Sequence, residues 1–593
     1  MKNRSRKLLR WSAVVATVSL PVGVAIPALA ESEPIRAQVL AIADFHGALQ
    51  PPAPQSGGEI VGDDGQKITV GGAAYLAAHV KQLREGQPNS ILYSNGDNFA
   101  GAPFEADVHW DEPNVEVLNT LGVDFSNVGN HELDVSREFL VDHMADGECF
   151  GEAGKDSCFV DSTGQQFHGS DFEWSTGNVV DKAGGEPILP PYLIREVAGE
   201  DGAKAQVGFI NLTNFGFEFG PSSYQPDLSS LDVVETANRY AAELKDKGVN
   251  AIVLNAAEGA RPKGGHDAPY NGCDLESGPL IDIAARVSSD VDAIVGGDKH
   301  TRFNCQLPDP NGTPRPVLGP GRYGDVVAEI ELAIDPDSGD VIRDQTTARN
   351  HANTRDVAPD PDMQRVVDHW KTLGQEWAAH PAAEVTGDFT KDKNDAGEST
   401  LGDLAADCNL WTANQDPATS ADFGLVMTDP HEGSNALDYE LKVAASGLPG
   451  DAEGRVTGGE AWAAYGYGDP YLTVTLTGAQ IDAAFEQQWT DAKFAPLAVS
   501  ANVSYGFDPS RPIGDRVAPE DFRIGDATLD PAKEYRVAVM SYTALGEDGI
   551  PALKDFTDPT RVQPPDHEAW VAFLKAHQTL TPAPLDRVKV LGS

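Results

Sequence analysis

Four short polar motifs, each placed directly after an apolar segment, constrain the fold of this 593-residue chain more than any other feature. They lie at residues 43–47, 95–98, 127–134 and 296–300, and each contains glycine. Around them, apolar segments that predict strands alternate with segments that predict helices. This alternation is typical of a layered α/β domain, in which ligands meet the carboxyl ends of strands. The sequence therefore predicts one functional site built from several strand ends.

Predicted strands and helices fill the first half of the chain in alternation. The strands are predicted at 35–43, 90–94, 205–212, 250–254 and 291–295, and the helices at 73–83, 115–121 and 236–247. A chain of this length exceeds the usual size of one hydrophobic core, so two domains are expected. A helical pattern at 359–380, with Val366, Trp370 and Leu373 on one face, predicts a connector between them.

The third motif holds the most chemistry in the fewest residues. Gly129 can adopt backbone conformations closed to other residues, so Asn130 and His131 can project from the strand end into a cavity. Asp134 follows about one helical turn after His131 and can orient its imidazole. A strand-to-helix turn capped by Asn and Asp would explain the motif alone equally well.

The other motifs carry side chains that suit a metal site. Asp44 and His46 are two residues apart, so at an extended strand end both can face one cation. Asp97 can bridge two cations through its two carboxylate oxygens. As an ordered set, each member directly after an apolar strand, the motifs are hard to explain by packing requirements and favour metal-dependent phosphoester chemistry.

Residues 1–30 have the pattern of a secretory signal peptide. Five basic residues and a mostly apolar stretch from 11 to 28 precede the small residues at the end of this segment. An uncleaved membrane anchor is the alternative, but Pro21 and Pro27 favour cleavage. The mature chain is therefore expected to be secreted or extracytoplasmic and free of the membrane.

The five cysteines fit an exported protein. Their spacing favours pairing of Cys149 with Cys158 and of Cys273 with Cys305. Cys408 is then left over, in a helical pattern that predicts a buried small apolar group. None of the five has the spacing of a zinc site.

A strong acidic excess restricts the partners. The formal net charge is −47, and without the five basic residues of 1–30 the chain has 39 basic residues against 91 acidic ones, a net charge of −52. Nucleic acid polymers and anionic membranes are poor partners for such a chain. The acidity fits a bound divalent cation, although a solvated acidic surface accounts for it as well.

The motifs at 44–47, 96–97 and 129–132 resemble those of the secreted bacterial 5'-nucleotidase family, whose N-terminal half is a calcineurin-like metallophosphoesterase domain. Segments 398–402, 472–480 and 546–549 look like the family's nucleotide-binding C-terminal domain. The resemblance implies an α/β fold with a layered metallophosphoesterase domain and a second, α+β substrate-binding domain. We expect a signal peptide at 1–30, the metallophosphoesterase domain at 31–350, a helical linker at 351–385 and the C-terminal domain at 386–593.

In the family, residues matching Asp44, His46, Asp97 and His300 hold the first metal ion, and all four are present. The bridging aspartate, a residue matching Asn130 and two histidines hold the second ion. This chain has Ala257 and Asp298 where those histidines are expected. Asp298 can still bind a cation, with a preference for one harder than zinc. The resemblance thus implies one firm divalent site and a weakened second one, for Mn, Mg, Ca or Zn.

Lys299 brings a positive charge near this second site. It could oppose a metal ion there or partly stand in for one. A solvated surface lysine is the alternative.

The substrate-binding residues of the family are retained only in part. Its arginine that grips the substrate phosphate aligns with Ser434, and no arginine lies between Arg365 and Arg455. Of the two aromatic residues that stack on the base, one matches Tyr467 and the other has become Ile550. Tyr467 is therefore the candidate substrate-binding residue, with a plain core aromatic as the alternative.

Two hypotheses follow. In the first, the chain is a secreted metal-dependent phosphoesterase that hydrolyses a nucleotide-like or other small phosphate ester, with His131 and Asp134 as catalytic residues. In the second, it is a noncatalytic descendant, a binding or scaffold protein that has kept the fold. The changes at Ala257, Asp298 and Ser434 favour the second hypothesis for 5'-nucleotidase activity itself.

Overall fold

The computed structural model describes residues 33–592 except 102, 215–224, 226, 432–436, 467–469, 547 and the side chain of residue 55. The predicted signal peptide lies outside this part. Among the described residues, a six-stranded sheet begins the fold. Its strands, in spatial order, are Thr347–Ala352, Val326–Ile334, Ile35–Ile42, Ser90–Ser94, Phe125–Asn127 and Glu173–Ser175. The last four run parallel, so their carboxyl ends share one edge.

A second six-stranded sheet faces the first within the described chain. Its strands, in spatial order, are Arg302–Pro308, Pro314–Pro320, Ala293–Val295, Ala251–Ala256, Lys204–Leu212 and Tyr192–Ala198. The four central strands are parallel, and antiparallel strands close both edges. Alternate apolar residues of both sheets, among them Val39, Phe125, Phe209 and Val253, form one buried core between them.

Helices cover the outer face of each sheet. Ala73–Arg84 and Glu112–Leu121 pack on the first sheet, and Val233–Asp246 and Pro279–Arg286 on the second. The result is a four-layer helix–sheet–sheet–helix domain. The predicted elements are confirmed to within one to three residues. The largest differences are at Glu112 and Val233, where each helix starts three residues before the prediction; at Glu112, Pro113 fits the first turn.

Two buried asparagines hold the sheets together at the edge where the motifs lie. The Asn95 Nδ2 group donates to the carbonyl oxygens of Ala256 and Gly296 at 3.1 and 2.9 Å. The Asn127 Nδ2 group donates to the Leu212 carbonyl at 3.0 Å. Strand ends of both sheets therefore meet at a fixed distance from one another.

A second domain follows, built on a five-stranded mixed sheet in the described part of the chain. Its strands, in spatial order, are Leu497–Val499, Phe423–Met427, Glu534–Met540, Tyr471–Thr477 and Thr557–Val562, and its main helices are Thr400–Ala413, Gly458–Ala464, Gly478–Glu486 and Asp566–His577. Thr457 and Thr477 each cap the helix that follows them, with Glu460 and Gln480 completing a capping box.

The predicted connector is the helix Pro361–Ala378. Trp370 and Val366 pack into the core under the first sheet, and Leu373 is half-buried beside it. Near the other end of the helix, the ring of Trp377 contacts those of Phe104 and Trp462. One helix thus contributes to the packing of both domains.

The cysteine prediction is confirmed. Disulfides join Cys149 to Cys158 and Cys273 to Cys305, while Cys408 is free and buried. Within the described residues, no helix combines the length and apolar character needed to span a membrane.

Candidate functional site

The four motifs come together at one edge of the two sheets. Asp44 follows the strand Ile35–Ile42 and Asp97 follows Ser90–Ser94. His131 follows Phe125–Asn127, and His300 follows Ala293–Val295 in the second sheet. The site therefore lies at strand ends, as the sequence predicts, and the structure adds that these ends come from two sheets.

Two imidazoles and a carboxylate have the geometry of a metal site. The Nε2 atoms of His46 and His300 are 3.1 Å apart, and Asp44 Oδ1 lies 3.8 Å from His300 Nε2. Ligand atoms at about 2.1 Å from one ion stand roughly 3–3.4 Å apart, so one ion fits between the two imidazoles. Asp97 and His131 form a second close group with His46.

Hydrogen bonds fix His46 in the form that binds metal. Its Nδ1–H group faces the carbonyl oxygens of Phe99 and Ala100 at 3.0 and 2.9 Å, which leaves the Nε2 lone pair directed at the cleft. Burial lowers the pKa of His46, and burial with the neighbouring His46 and Arg322 lowers that of His300 well below its usual range. Both rings are thus kept neutral, as a metal ligand must be.

The pKa of the Asp44 carboxylate is shifted in the opposite direction, upward. Burial, together with Asp97 and Asp298, raises the pKa of Asp44 well above its usual value. Asp44 Oδ2 is buried and accepts no hydrogen bond within the described residues. Such a group needs a cation or a proton beside it, and this fits a divalent ion.

The backbone at the site is strained. Asp44, His46, Asp97, Asp298 and His300 all have φ between 43° and 64°, a region that non-glycine residues rarely occupy. Strain of this kind costs about 1–3 kcal/mol per residue and persists where the surrounding structure enforces it. At these five positions it turns each side chain out of its strand and into the cleft.

Two glycines let the second and third motifs touch. A Cβ on Gly129 would lie 2.0 Å from Asp97 Oδ1, and one on Gly96 would lie 2.4 Å from the Gly129 nitrogen. Glu132 fastens this contact, because its carboxylate accepts from the backbone N–H groups of Asp97, Asn98 and Gly129 at 2.7–3.0 Å. Burial and Asp97 raise the pKa of Glu132 to about 7.

His131 and Asp134 form the predicted pair, with His131 Nδ1 2.5 Å from Asp134 Oδ2. Both line a narrow cavity of about 30 Å³, room for about two water molecules. Arg561 and Glu568 of the second domain line the same cavity. The candidate catalytic pair therefore lies where the two domains meet.

The remaining positions of the site are less complete. Asn130 Oδ1 is buried and has no hydrogen-bond partner among the described residues, so it is available as a ligand. Ala257 is buried and offers only a methyl group. Asp298 donates its N–H to Asp44 Oδ1 at 2.8 Å, but its own Oδ2 lies 2.7 Å from the Lys299 ammonium.

Some predicted substrate positions lie outside the described residues, namely Tyr467 and Ser434. Ile550 is described and is fully buried in the core of the second domain, where it cannot stack on a ligand.

Sequence reasoning missed three residues that the structure brings to the site. Glu132 stands inside the third motif, and the signal available in the sequence was an acid between His131 and Leu133 in that turn. Glu258 follows Ala257 and is 1% exposed. Arg561 lies 430 positions after His131, and no sequence pattern connects the two.

Two family models match the chain. One, described as calcineurin-like phosphoesterase, matches residues 37–302, and the other, described as 5'-nucleotidase, C-terminal domain, matches residues 379–555.

Relatives match over most of the chain. It is 26% identical to the cell wall protein Lmo0130 of Listeria monocytogenes, over 95% of this chain and 70% of that protein. It is 23% identical to endonuclease YhcR of Bacillus subtilis, over 92% of this chain but only 40% of that protein. A 5'-nucleotidase precursor from Thermus thermophilus shares the fold, with a TM-score of 0.52, 22% identity and coverage of 94% of this chain and 100% of that one.

Proposed function

Since this chain belongs to the 5'-nucleotidase family, in which a calcineurin-like phosphoesterase domain is joined to a 5'-nucleotidase C-terminal domain, we propose that it hydrolyses small phosphate esters with the help of a divalent metal. The observation that carries this proposal is the joint presence of the His46–His300 contact at 3.1 Å and the His131–Asp134 pair in one cleft. Neither packing nor stability requires two such imidazole arrangements side by side.

The metal site proposed consists of Asp44, His46, Asp97 and His300. A divalent cation held there would polarise the phosphoryl oxygens and favour ionisation of a water nucleophile. Two imidazoles with two carboxylates suit Zn²⁺ or Mn²⁺ better than Ca²⁺, which prefers oxygen ligands alone. The unpartnered Asp44 Oδ2 and the fixed His46 tautomer support the fit.

His131 is the proposed general acid. With its Nδ1–H group donating to Asp134, the imidazolium form is stabilised, and the proton on Nε2 is the one proposed to pass to the leaving oxygen. Protonation of that oxygen by His131 prevents an alkoxide from forming as the P–O bond breaks. Asp134 acts through His131 by holding its ring and its charge.

Arg561 is proposed to bind an anionic group of the substrate. It lies on the strand Thr557–Val562 and lines the cavity next to His131, and its guanidinium supplies a positive charge that the serine at position 434 cannot supply. The cavity that Arg561 and His131 share is narrow, at about 30 Å³.

The proposed substrate is not an ordinary 5'-nucleotide. Ile550 is buried and Ser434 cannot form an arginine fork, so base stacking and phosphate binding of the family's usual kind are weakened. A small phosphorylated compound without a base, or a nucleotide-like diester, fits the remaining groups. The net charge argues against nucleic acid polymers.

An extracytoplasmic location is proposed with this function. Two disulfides, the signal-like pattern of residues 1–30 and the similarity to a cell wall protein all support it.

A noncatalytic binding protein is the second candidate. It is favoured by one observation, the loss of metal-binding character at Ala257 and at the lysine-paired Asp298. Such a protein would bind a metal ion and an anionic ligand without turnover.

One assay separates the two candidates. Purified protein is incubated with Mn²⁺, Zn²⁺, Mg²⁺ or Ca²⁺ and with an aryl phosphate, a bis-aryl phosphate or a panel of nucleotides. We expect hydrolysis of an aryl ester in Mn²⁺ or Zn²⁺ that is lost in His131→Ala and kept in His168→Ala, an exposed histidine away from the cleft. Absence of turnover with every metal and substrate would favour the binding protein.

A further inference from the structure

Lys299 pairs with a carboxylate on the side of the cleft where Ala257 and Asp298 stand. Its ammonium nitrogen is 2.7 Å from Asp298 Oδ2, and Asp298 is only 12% exposed at its side chain. The Lys299 side chain itself is 34% exposed, so it is half-buried and its ammonium group pairs with a carboxylate of the cleft.

Glu258 is a second acid near this site, and it is buried. Its side chain is 1% exposed, and neither carboxylate oxygen has a hydrogen-bond partner within the described chain. Burial and Asp298 raise its pKa to about 8, while Lys299 acts in the opposite direction.

The chain is shaped to hold the lysine in this position. A Cβ at Gly259 would lie 2.5 Å from the Cβ and Cγ atoms of Lys299, so only glycine lets the lysine stem pack there. The Lys299 N–H group donates to the Gly297 carbonyl at 2.7 Å, in a turn where Asp298 and His300 both have positive φ. The direction of this side chain is thus set by the backbone on both sides.

The family's second metal ion does not fit the residues around it. Ala257 offers no ligand atom, and Asp298 already contacts an ammonium group. The cleft nevertheless contains three carboxylates: Asp44 and Asp97 belong to two close groups that share His46, and the Asp298 N–H group donates to Asp44 Oδ1 at 2.8 Å. One divalent ion balances two of these three negative charges and leaves one negative charge unbalanced.

We infer that the Lys299 ammonium replaces the second divalent cation, so that this site holds one metal ion and one built-in lysine charge. The inference rests on the proposed function only in assigning the first metal site. This chain thereby differs from a two-metal phosphoesterase in having an internal cation of single charge, the Lys299 ammonium. Its position is fixed because the lysine stem packs against Gly259. An ammonium group offers hydrogen-bond donors to a phosphoryl oxygen but cannot activate water as a metal ion does.

Metal stoichiometry tests this inference without substrate. Mn²⁺ bound per chain is measured by equilibrium dialysis with elemental analysis for the wild type, Ala257→His, Lys299→Ala and the double variant. We expect one ion in the wild type and in Ala257→His, and one more ion when Lys299→Ala is added to Ala257→His. Lys182→Ala, which removes an exposed lysine, serves as the matched control and leaves the count unchanged.

Three outcomes would overturn the inference: two ions of similar affinity in the wild type, a second ion in Ala257→His with Lys299 present, or no gain in the double variant. Circular dichroism and the affinity of the first ion show that each variant is folded. A wild type that binds no ion contradicts the proposed function alone. The lysine inference is then decided by whether the double variant binds one ion more than Ala257→His.

Discussion

The two halves of the cleft differ in how their negative charge is balanced. In the first half, Asp44 Oδ2 is buried without a hydrogen-bond partner in the described chain, and the Nε2 atoms of His46 and His300 lie 3.1 Å apart. In the second half, Asp298 faces an ammonium group of the same chain at 2.7 Å. The first half has ligand atoms suited to a metal ion, whereas the second half contains a lysine ammonium group as its cation. A shared fold therefore does not imply a shared number of metal ions.

The largest effect expected from this comparison is that of His46→Ala. Loss of this ligand should lower Mn²⁺ affinity and reduce kcat/KM by about three orders of magnitude or more, because several kcal/mol of charge stabilisation are lost. Asn130→Ala, the counterpart in the second half, should reduce kcat/KM by less than about tenfold. Both are measured by titration with Mn²⁺ and by steady-state kinetics on an aryl phosphate. Equal losses of kcat/KM in His46→Ala and Asn130→Ala would show that the two halves of the cleft do not differ in this way.

His131→Ala should lower kcat by roughly 10²- to 10⁴-fold, the usual contribution of a general acid. Metal binding should remain, since the first half keeps its ligands. The loss should be smaller for an aryl phosphate with a good leaving group than for an alkyl phosphate, whose oxygen needs the proton more. A uniform loss across leaving groups would argue against a role in proton transfer.

Arg561→Ala should raise KM by roughly 10- to 100-fold with a smaller change in kcat, because one charged contact to the substrate is removed. Arg561→Lys keeps the charge but not the planar fork, so it should restore part of the affinity. Arg523→Ala, an exposed arginine of the same domain, is the control. An unchanged KM in Arg561→Ala would remove this residue from the substrate site.

The smallest effect concerns the contact between the domains. His567 Nδ1 lies 2.8 Å from Asp107 Oδ2, and although burial opposes its charge, Asp566 and Asp107 raise the pKa of His567 to about 9. A raised pKa gives stability that is complete below pH 6.5 and is lost as the pH rises toward about 9. The neighbouring acids Asp111 and Glu568 also have raised pKa values, which act in the same direction.

The melting temperature should therefore fall between pH 6.5 and 9, and the slope should be shallower in His567→Gln. Differential scanning calorimetry across this range measures both. The same slope in wild type and variant would show that this pair does not couple pH to stability.

Much of this arrangement follows from sequence, because strand ends in an α/β domain meet at one edge. Asp44, Asp97 and His131 each follow an apolar run, and that is sufficient to bring them together. The position of His131 beside Asp134 also follows from their spacing on one turn.

The rest required three-dimensional contacts. The sequence does not decide whether Lys299 lies on the surface or in the site. The choice depends on the lack of a side chain at Gly259, where the Lys299 stem packs. Arg561 reaches the cleft only because the second domain packs against the first. Glu132 appears as one more acid in a motif, while its role as a clamp depends on the close approach of Gly96 and Gly129.

Anomalous X-ray diffraction from a crystal grown with Mn²⁺ tests the single-metal site most directly. We predict one strong manganese peak bounded by Asp44, His46, Asp97 and His300, with the Lys299 ammonium retained against Asp298. Two peaks of comparable height, about 3.5–4 Å apart as in two-metal phosphoesterases, would contradict it.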